Sequence, residues 1–198
     1  RFAERGADAN AYTSFNKTAY LFSCTDDYRA PLRELIDFVT HPYFTKQTVK
    51  KEIGIIAEEI RGCIDDPYDR CYMNMLDAMY FENPVKNEIC GSEESISRIT
   101  PEVLYRCCKD FYTPGNMLLC VVGDVDEAQV ETIARQVLGD EKRAMGIKAD
   151  FPAEPMHCRK PLIEEEMPIA MPTFSMALKT TCPEKGEAAI RREIVGDL

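Results

Sequence analysis

The chain reads as an α+β protein, and three observations predict it. Val49, Ile53, Ile56 and Ile60 fall at i, i+4, i+7 and i+11, an apolar stripe of helical period. Two stretches rich in Thr, Tyr and Phe, 10–14 and 18–25, read as strands around a Phe15-Asn16-Lys17 turn. Met117 to Val122 is a continuous apolar run, the pattern of a strand buried on both faces.

Taken in order, residues 1–5 read as the end of a helix that Gly6 stops. After the two strands, Asp26 or Asp27 can cap a helix running to about Thr40, with Leu32, Leu35, Ile36 and Val39 inward. Pro31 argues for a start a few residues later, and Pro42 ends it. Thr45 can cap the next helix, about Lys46 to Arg61, with Gly62 closing it. Asp65-Asp66-Pro67 turns into a helix of about 67–80, which Asn83-Pro84 breaks. Ser92 can cap a short helix, and Thr100-Pro101-Glu102 starts another that runs to about Tyr112. Asp126 to Gln129 resembles a capping box for a helix ending at Leu138, before Gly139. Residues 140–160, charged and carrying Pro152 and Pro155, read as a linker. Thr173 to Thr181 alternates as a strand, and a helix is expected from about Pro183 to the end.

Composition narrows the function. Lys and Arg number 24 against 34 Asp and Glu, a net charge of −10 over 198 residues. That balance argues against nucleic acid or an anionic membrane as the main partner. No apolar run approaches the roughly 20 residues that span a bilayer. The 9 cysteines form no C-x-x-C pair, and His41 and His157 are not spaced as ligands. Reduced cysteines in a cytoplasmic protein are the expectation. Cys71, Met75 and Met79, spaced by four, read as core. Val122-Gly123-Asp124 lacks the glycine pattern of a phosphate loop, and Asp124, Asp126 and Glu127 lack calcium-loop spacing. The chain opens at Arg1 as if inside a helix, so a preceding segment is expected.

The chemistry centres on Glu52 and Glu59. Seven residues is about two helical turns, so the two carboxylates stack beside Ile56 at the edge of the apolar stripe. Carboxylates placed there call for a cation, either a metal ion or an Arg or Lys.

Four motifs in order then carry a resemblance. Gly6-Ala7-Asp8-Ala9-Asn10-Ala11-Tyr12-Thr13, followed by Thr18 and Tyr20, resembles a hairpin of the pitrilysin/insulinase zinc peptidases, the inverted zincins. Glu52 and Glu59 match that family's downstream acidic helix in spacing, and Asp65-Asp66-Pro67 its following turn. Tyr112-Thr113-Pro114-Gly115-Asn116-Met117, with Val122-Gly123-Asp124-Val125-Asp126, is similar to its later strand. The likeness is strong over residues 1–139 and weak beyond. It leans toward the bacterial branch associated with elongation factor P modification.

The resemblance implies an α+β lobe with a mixed sheet flanked by helices, incomplete at both ends. Residues 1–139 would be most of a first lobe, 140–160 a linker and 161–198 the start of a second. It implies zinc in the parent, held by two His of an H-x-x-E-H helix and a distal Glu, with the motif's own Glu activating water. Glu59 matches the distal ligand, Glu52 the group that orients the site, and Asn10 and Ala11 the edge strand on which an extended peptide lies, so Glu59 is expected to point inward, toward the hairpin bearing Asn10. The departure is that no H-x-x-E-H occurs in this chain; it would precede Gly6. A lone Glu is short of the three protein ligands that catalytic zinc needs. The chain alone is therefore expected to bind no catalytic zinc and to be inactive, with the general base upstream of Arg1. The parent is expected to be an endopeptidase of peptides or unstructured segments, enclosed with a second half or a homologous subunit as a homo- or heterodimer. The rival is a non-catalytic subunit that completes such a chamber. An uncovered sheet edge would also favour self-association of the chain.

Overall fold

The structure, a computed structural model, describes residues 2–139 and 152–179. They form two compact units, one within 1–62 and 89–150, the other within 63–88 and 151–198.

The first unit opens on a 3-10 turn, Ala3–Arg5, which Gly6 closes at φ +65° while its N–H donates to the Ala3 carbonyl at 3.1 Å. A side chain there would be strained, which explains the glycine. The strand β1, Ala7–Thr13, pairs antiparallel with β2, Thr18–Cys24, in the register Ala7 to Cys24, Ala11 to Tyr20 and Thr13 to Thr18. The hairpin is the only sheet among the described residues, antiparallel where a mixed sheet was expected. Its turn is closed by the Ser14 N–H donating to the Lys17 carbonyl at 2.8 Å.

Helices α1 (Arg29–Thr40), α2 (Lys46–Asp65), α4 (Glu93–Ser97), α5 (Pro101–Phe111) and α6 (Glu127–Leu138) follow, with α3 (Pro67–Met79) in the second unit. The core joins Leu32 and Ile36 of α1 to Ile133 of α6, with Phe22, Val121 and Val130 packed around them. Helix α6 is capped as expected: the Asp126 carboxylate accepts from the Gln129 N–H at 3.1 Å. The reciprocal arm of the box is absent. The Asp126 N–H donates to the Tyr28 hydroxyl instead, and the Gln129 amide oxygen accepts from Arg29 Nε at 2.6 Å. The cap thus ties α6 to the start of α1. Neither Asp26 nor Asp27 is the N-cap of α1, because Pro31 permits the helix to begin only at Arg29, after Tyr28.

Three further expectations are corrected. Helix α2 does not stop at Gly62, which lacks a left-handed backbone, and continues to Asp65. The proline at 67 sets the boundary, because it pushes Asp66 into an extended conformation. Residues 117–122 are unpaired, with Leu118 93% and Val122 92% exposed and only Val121 against the core. Residues 173–179 likewise form no strand, and Phe174 is 87% exposed. A strand exists only through its ladder, and no described strand lies beside either run.

In the second unit, Asp66 caps α3 by accepting from the N–H groups of Tyr68 at 2.7 Å and Asp69 at 3.2 Å. Replacing Asp66 by Ala is expected to destabilise this unit by about 1 kcal/mol, and by Ser far less, measured by urea unfolding.

Part of the stretch read as a linker, 152–160, lies against α3. The Lys160 N–H donates to the Ala78 carbonyl at 2.9 Å, and Arg159 donates to the Asp77 carbonyl at 2.8 Å. The Glu154 carboxylate accepts from the backbone N–H groups of Phe81 at 3.0 Å, Glu82 at 2.6 Å and Asn83, with Lys179 Nζ at 3.5 Å. Residues 140–151 and the predicted helix from Pro183 lie outside the described residues.

Burial by itself would raise the Glu154 carboxyl. The three backbone donors and the Lys179 charge outweigh it and hold the group at about 2, against an ordinary 4.5. A depressed folded-state value means stability that is present above the ordinary value and lost as pH falls through the folded one. Residues 81–83 are therefore expected to lose amide-exchange protection between pH 4.5 and about 2. In Glu154→Gln they should show reduced protection at pH 7 and little change across that window.

Candidate functional site

Helix α2 is set by a reciprocal cap: the Thr48 N–H donates to Thr45 Oγ1 and the Thr45 N–H to Thr48 Oγ1, each at 3.1 Å. It buries Val49 and Ile60. At about 100° per residue, Glu52 and Glu59 stand roughly 70° and 90° round the helix from the middle of that buried line. Both are exposed. The inward orientation expected of Glu59 is thus not found: it lies beyond the edge of the buried stripe, on the solvent side.

The question of the cation has a partial answer. Arg61, two residues beyond Glu59 and so on the other side of the helix, is held by Glu58 at 2.5 Å and by Glu93 at 2.8 Å. Hydrogen bonding to Glu93 and the charge of Glu58 raise the Arg61 guanidinium, and the bond from Arg61 lowers the Glu93 carboxyl. Among the described residues, no hydrogen bond or ion pair reaches Glu52 or Glu59. Glu58 is exposed to solvent and is also a partner of Arg61.

Asn10 and Ala11 are neighbours on β1 and both are exposed. The Asn10 side chain accepts from the Ala11 N–H at 2.8 Å, so it is turned onto its own strand. The edge of β1 away from β2 has no partner among the described residues, which leaves backbone groups able to pair with an extended chain. Ala11 faces Tyr20 across the ladder. The Tyr20 and Tyr112 hydroxyls share a hydrogen bond of 3.0 Å, and the Tyr20 ring packs edge-on against Phe38 and Tyr112. Burial, then the bond to Tyr112, pushes the Tyr20 hydroxyl well above its usual range. This pair anchors the middle of the hairpin to the end of α5. Both tyrosines stand in the motifs singled out above, but a contact across 92 positions leaves no local signature.

No group of three His, Cys, Asp or Glu side chains converges to hold a metal among the described residues. His41 is paired with Asp37 at 3.1 Å, and His157 packs edge-on against Phe81. Zinc requires three protein ligands, and Glu59 can supply one. No described helix is long and apolar enough to cross a membrane.

Two family models match the chain. Residues 1–93 match "Insulinase (Peptidase family M16)" and residues 98–187 match "Peptidase M16 inactive domain". The chain is 40% identical over 198 residues to a Bacillus subtilis protein named "Uncharacterized zinc protease YmfH", covering 98% of this chain and 46% of that one. An "Uncharacterized zinc protease" of Rickettsia felis is 28% identical over 151 residues, 76% of this chain and 36% of that protein. A crystal structure from Alicyclobacillus acidocaldarius, assigned as an M16-like peptidase, superposes with a TM-score of 0.74 at 38% identity, covering 81% of this chain and 38% of that one. The peptidase M16 inactive domain from Pseudomonas fluorescens shares the fold, with a TM-score of 0.65 at 23% identity over 79% of this chain and 38% of its own. The chain thus spans less than half the length of the proteins it matches.

Proposed function

Because the chain belongs to the pitrilysin/insulinase (M16) peptidase family, with its α+β fold, we propose that the full-length protein is a zinc-dependent endopeptidase of peptides or unstructured segments. The observation that carries this reading is the 40% identity, across nearly the whole chain, to a protein named a zinc protease. In it, Glu59 is one metal ligand and Glu52 orients the site. The remaining ligands and the general base come from an H-x-x-E-H helix outside this chain. Asn10 and Ala11 lie on the strand along which the substrate pairs, an arrangement supported by the unpaired edge of β1. Residues 1–139 form most of one lobe and 161–198 begin a second. A second half or homologous subunit encloses the substrate.

A second reading is a non-catalytic subunit that completes such a chamber. It is favoured by the match of residues 98–187 to a model described as an inactive domain. One experiment separates the two. The full-length protein is purified, its zinc is counted by mass spectrometry, and hydrolysis of an unstructured peptide is followed with and without a chelator. The peptidase reading expects one zinc per chain and chelator-sensitive cleavage. Absence of both from the isolated protein, with cleavage only after a homologous subunit is added, supports the subunit reading.

A further inference from the structure

Along an antiparallel pair, residues alternate between those whose backbone groups bond across the ladder and those whose groups point away from it. The Ser14 N–H donates to the Lys17 carbonyl, so this pair is of the bonded kind. Counting back through the register, Tyr12 with Ala19 and Asn10 with Leu21 are bonded pairs. Thr13, Ala11, Ala9 and Ala7 fall on the alternate positions, and their N–H groups point to the edge of β1 away from β2. Two of these outward donors are already engaged. Ala7 donates to the Phe2 carbonyl at 3.1 Å, where the preceding turn folds back. Ala11 donates to the side-chain oxygen of Asn10 at 2.8 Å. Among the described residues, no acceptor from outside the hairpin meets the N–H of Ala9 or Thr13.

An extended chain laid along this edge bonds to alternate residues, which are Ala9, Ala11 and Thr13. The middle donor of the three is the one that Asn10 holds. We propose that the Asn10 carboxamide is a latch on the edge strand: it occupies the Ala11 N–H in the free protein and must release it before an extended peptide pairs there. The latch rests on the reading of β1 as the strand that receives the substrate. Asn10 is exposed and adjacent to Ala11, so opening the latch turns one side chain into water and breaks no ladder bond. The strand stays in place as it opens, because Tyr20, opposite Ala11, is tied to Tyr112 at 3.0 Å. One neutral hydrogen bond shifts an equilibrium by roughly 2- to 10-fold, enough to tune peptide affinity and too little to abolish it.

The test uses the full-length protein and two readouts. One is amide-exchange protection in β1. The other is the affinity for an uncharged, fluorescently labelled unstructured peptide, read by stopped-flow anisotropy before turnover. Asn10→Ala removes the acceptor. Protection of the Ala11 amide should fall, the Tyr12 amide should keep its protection, and the peptide should bind roughly 2- to 10-fold more tightly. Asn10→Asp sets a charged acceptor against the same N–H, so Ala11 protection should rise and binding weaken by a similar factor. A direct contact from Asn10 to the peptide predicts the reverse, and weaker binding in Asn10→Ala overturns the latch. So does unchanged Ala11 protection in that variant, equal affinity in all three proteins, or protection lost at Tyr12 as well, which marks a frayed hairpin. Binding in the expected order without any cleavage keeps the latch and overturns only the peptidase reading. A wild-type protein that binds no peptide removes β1 as the substrate strand, and the latch with it.

Discussion

Replacing Glu59 by Gln in the full-length protein is expected to cut kcat/KM for an unstructured peptide by more than about 100-fold and to release zinc. Groups that only orient a metal's ligands typically contribute about 10–100-fold to affinity or activity, so loss of a ligand should exceed that range. Glu52→Gln, at the orienting position, should fall inside it and retain most of the metal. Both side chains are exposed, and among the described residues neither has a hydrogen-bonding or ionic partner. Their replacement should therefore leave unfolding within about 0.5 kcal/mol of wild type. That insensitivity makes the result readable, because lost activity cannot then be ascribed to a damaged fold. Glu58→Gln is the matched control: it loosens Arg61 but should not move zinc content. A Glu59→Gln protein that keeps its zinc and its rate removes this residue from the site.

The largest expected effect on stability is at Leu32. Its side chain is 1% exposed and lies at the centre of the contact between α1 and α6. Leu32→Ala removes its apolar surface from the core and leaves a cavity, a combined cost of about 2–5 kcal/mol. Against a typical total of roughly 5–15 kcal/mol, that is enough to populate the unfolded first unit measurably. Phe38, on the same helix, is 60% exposed and touches Tyr20 edge-on. Phe38→Ala should cost only about 1 kcal/mol, mostly the lost aromatic pair. Urea unfolding, with amide exchange in α1 and α6 assigning the loss to the first unit, measures both. Equal costs at the two positions would place the core elsewhere.

Elements governed by neighbours in sequence were legible in advance. Thr45, Ser92, Thr100 and Asp126 each accept from a backbone N–H near the start of the helix they were expected to cap. Gly6 takes the left-handed conformation expected of it. The hairpin was placed correctly, although β1 begins three residues earlier than its side chains suggested, where Gly6 sends the chain into the ladder. Helix α2 overran its predicted end because a glycine stops a helix only when the backbone turns left-handed, and a proline farther on did so first.

The candidate site was legible to the same depth. The spacing of Glu52 and Glu59 put them on one side of α2, which holds, but spacing could not tell solvent from interior. The apolar run at 117–122 has the pattern of a buried strand and 173–181 alternates as a strand, yet a strand forms only with partners, which its own residues do not specify. The Tyr20–Tyr112 bond and the Glu154 clamp join segments 92 and about 70 positions apart.

The sequence by itself determined the α+β class, the caps at Thr45, Ser92, Thr100 and Asp126, the hairpin and the family, because each rests on short-range backbone chemistry or on the order of motifs along the chain. Only the tertiary structure decided that Glu59 meets solvent, that Arg61 belongs to Glu58 and Glu93, and that Cys71, Met75 and Met79 of α3 are half-buried along an open groove instead of in a core. Exposure and ion pairing depend on which distant segment folds back against a residue, and periodicity carries no record of that.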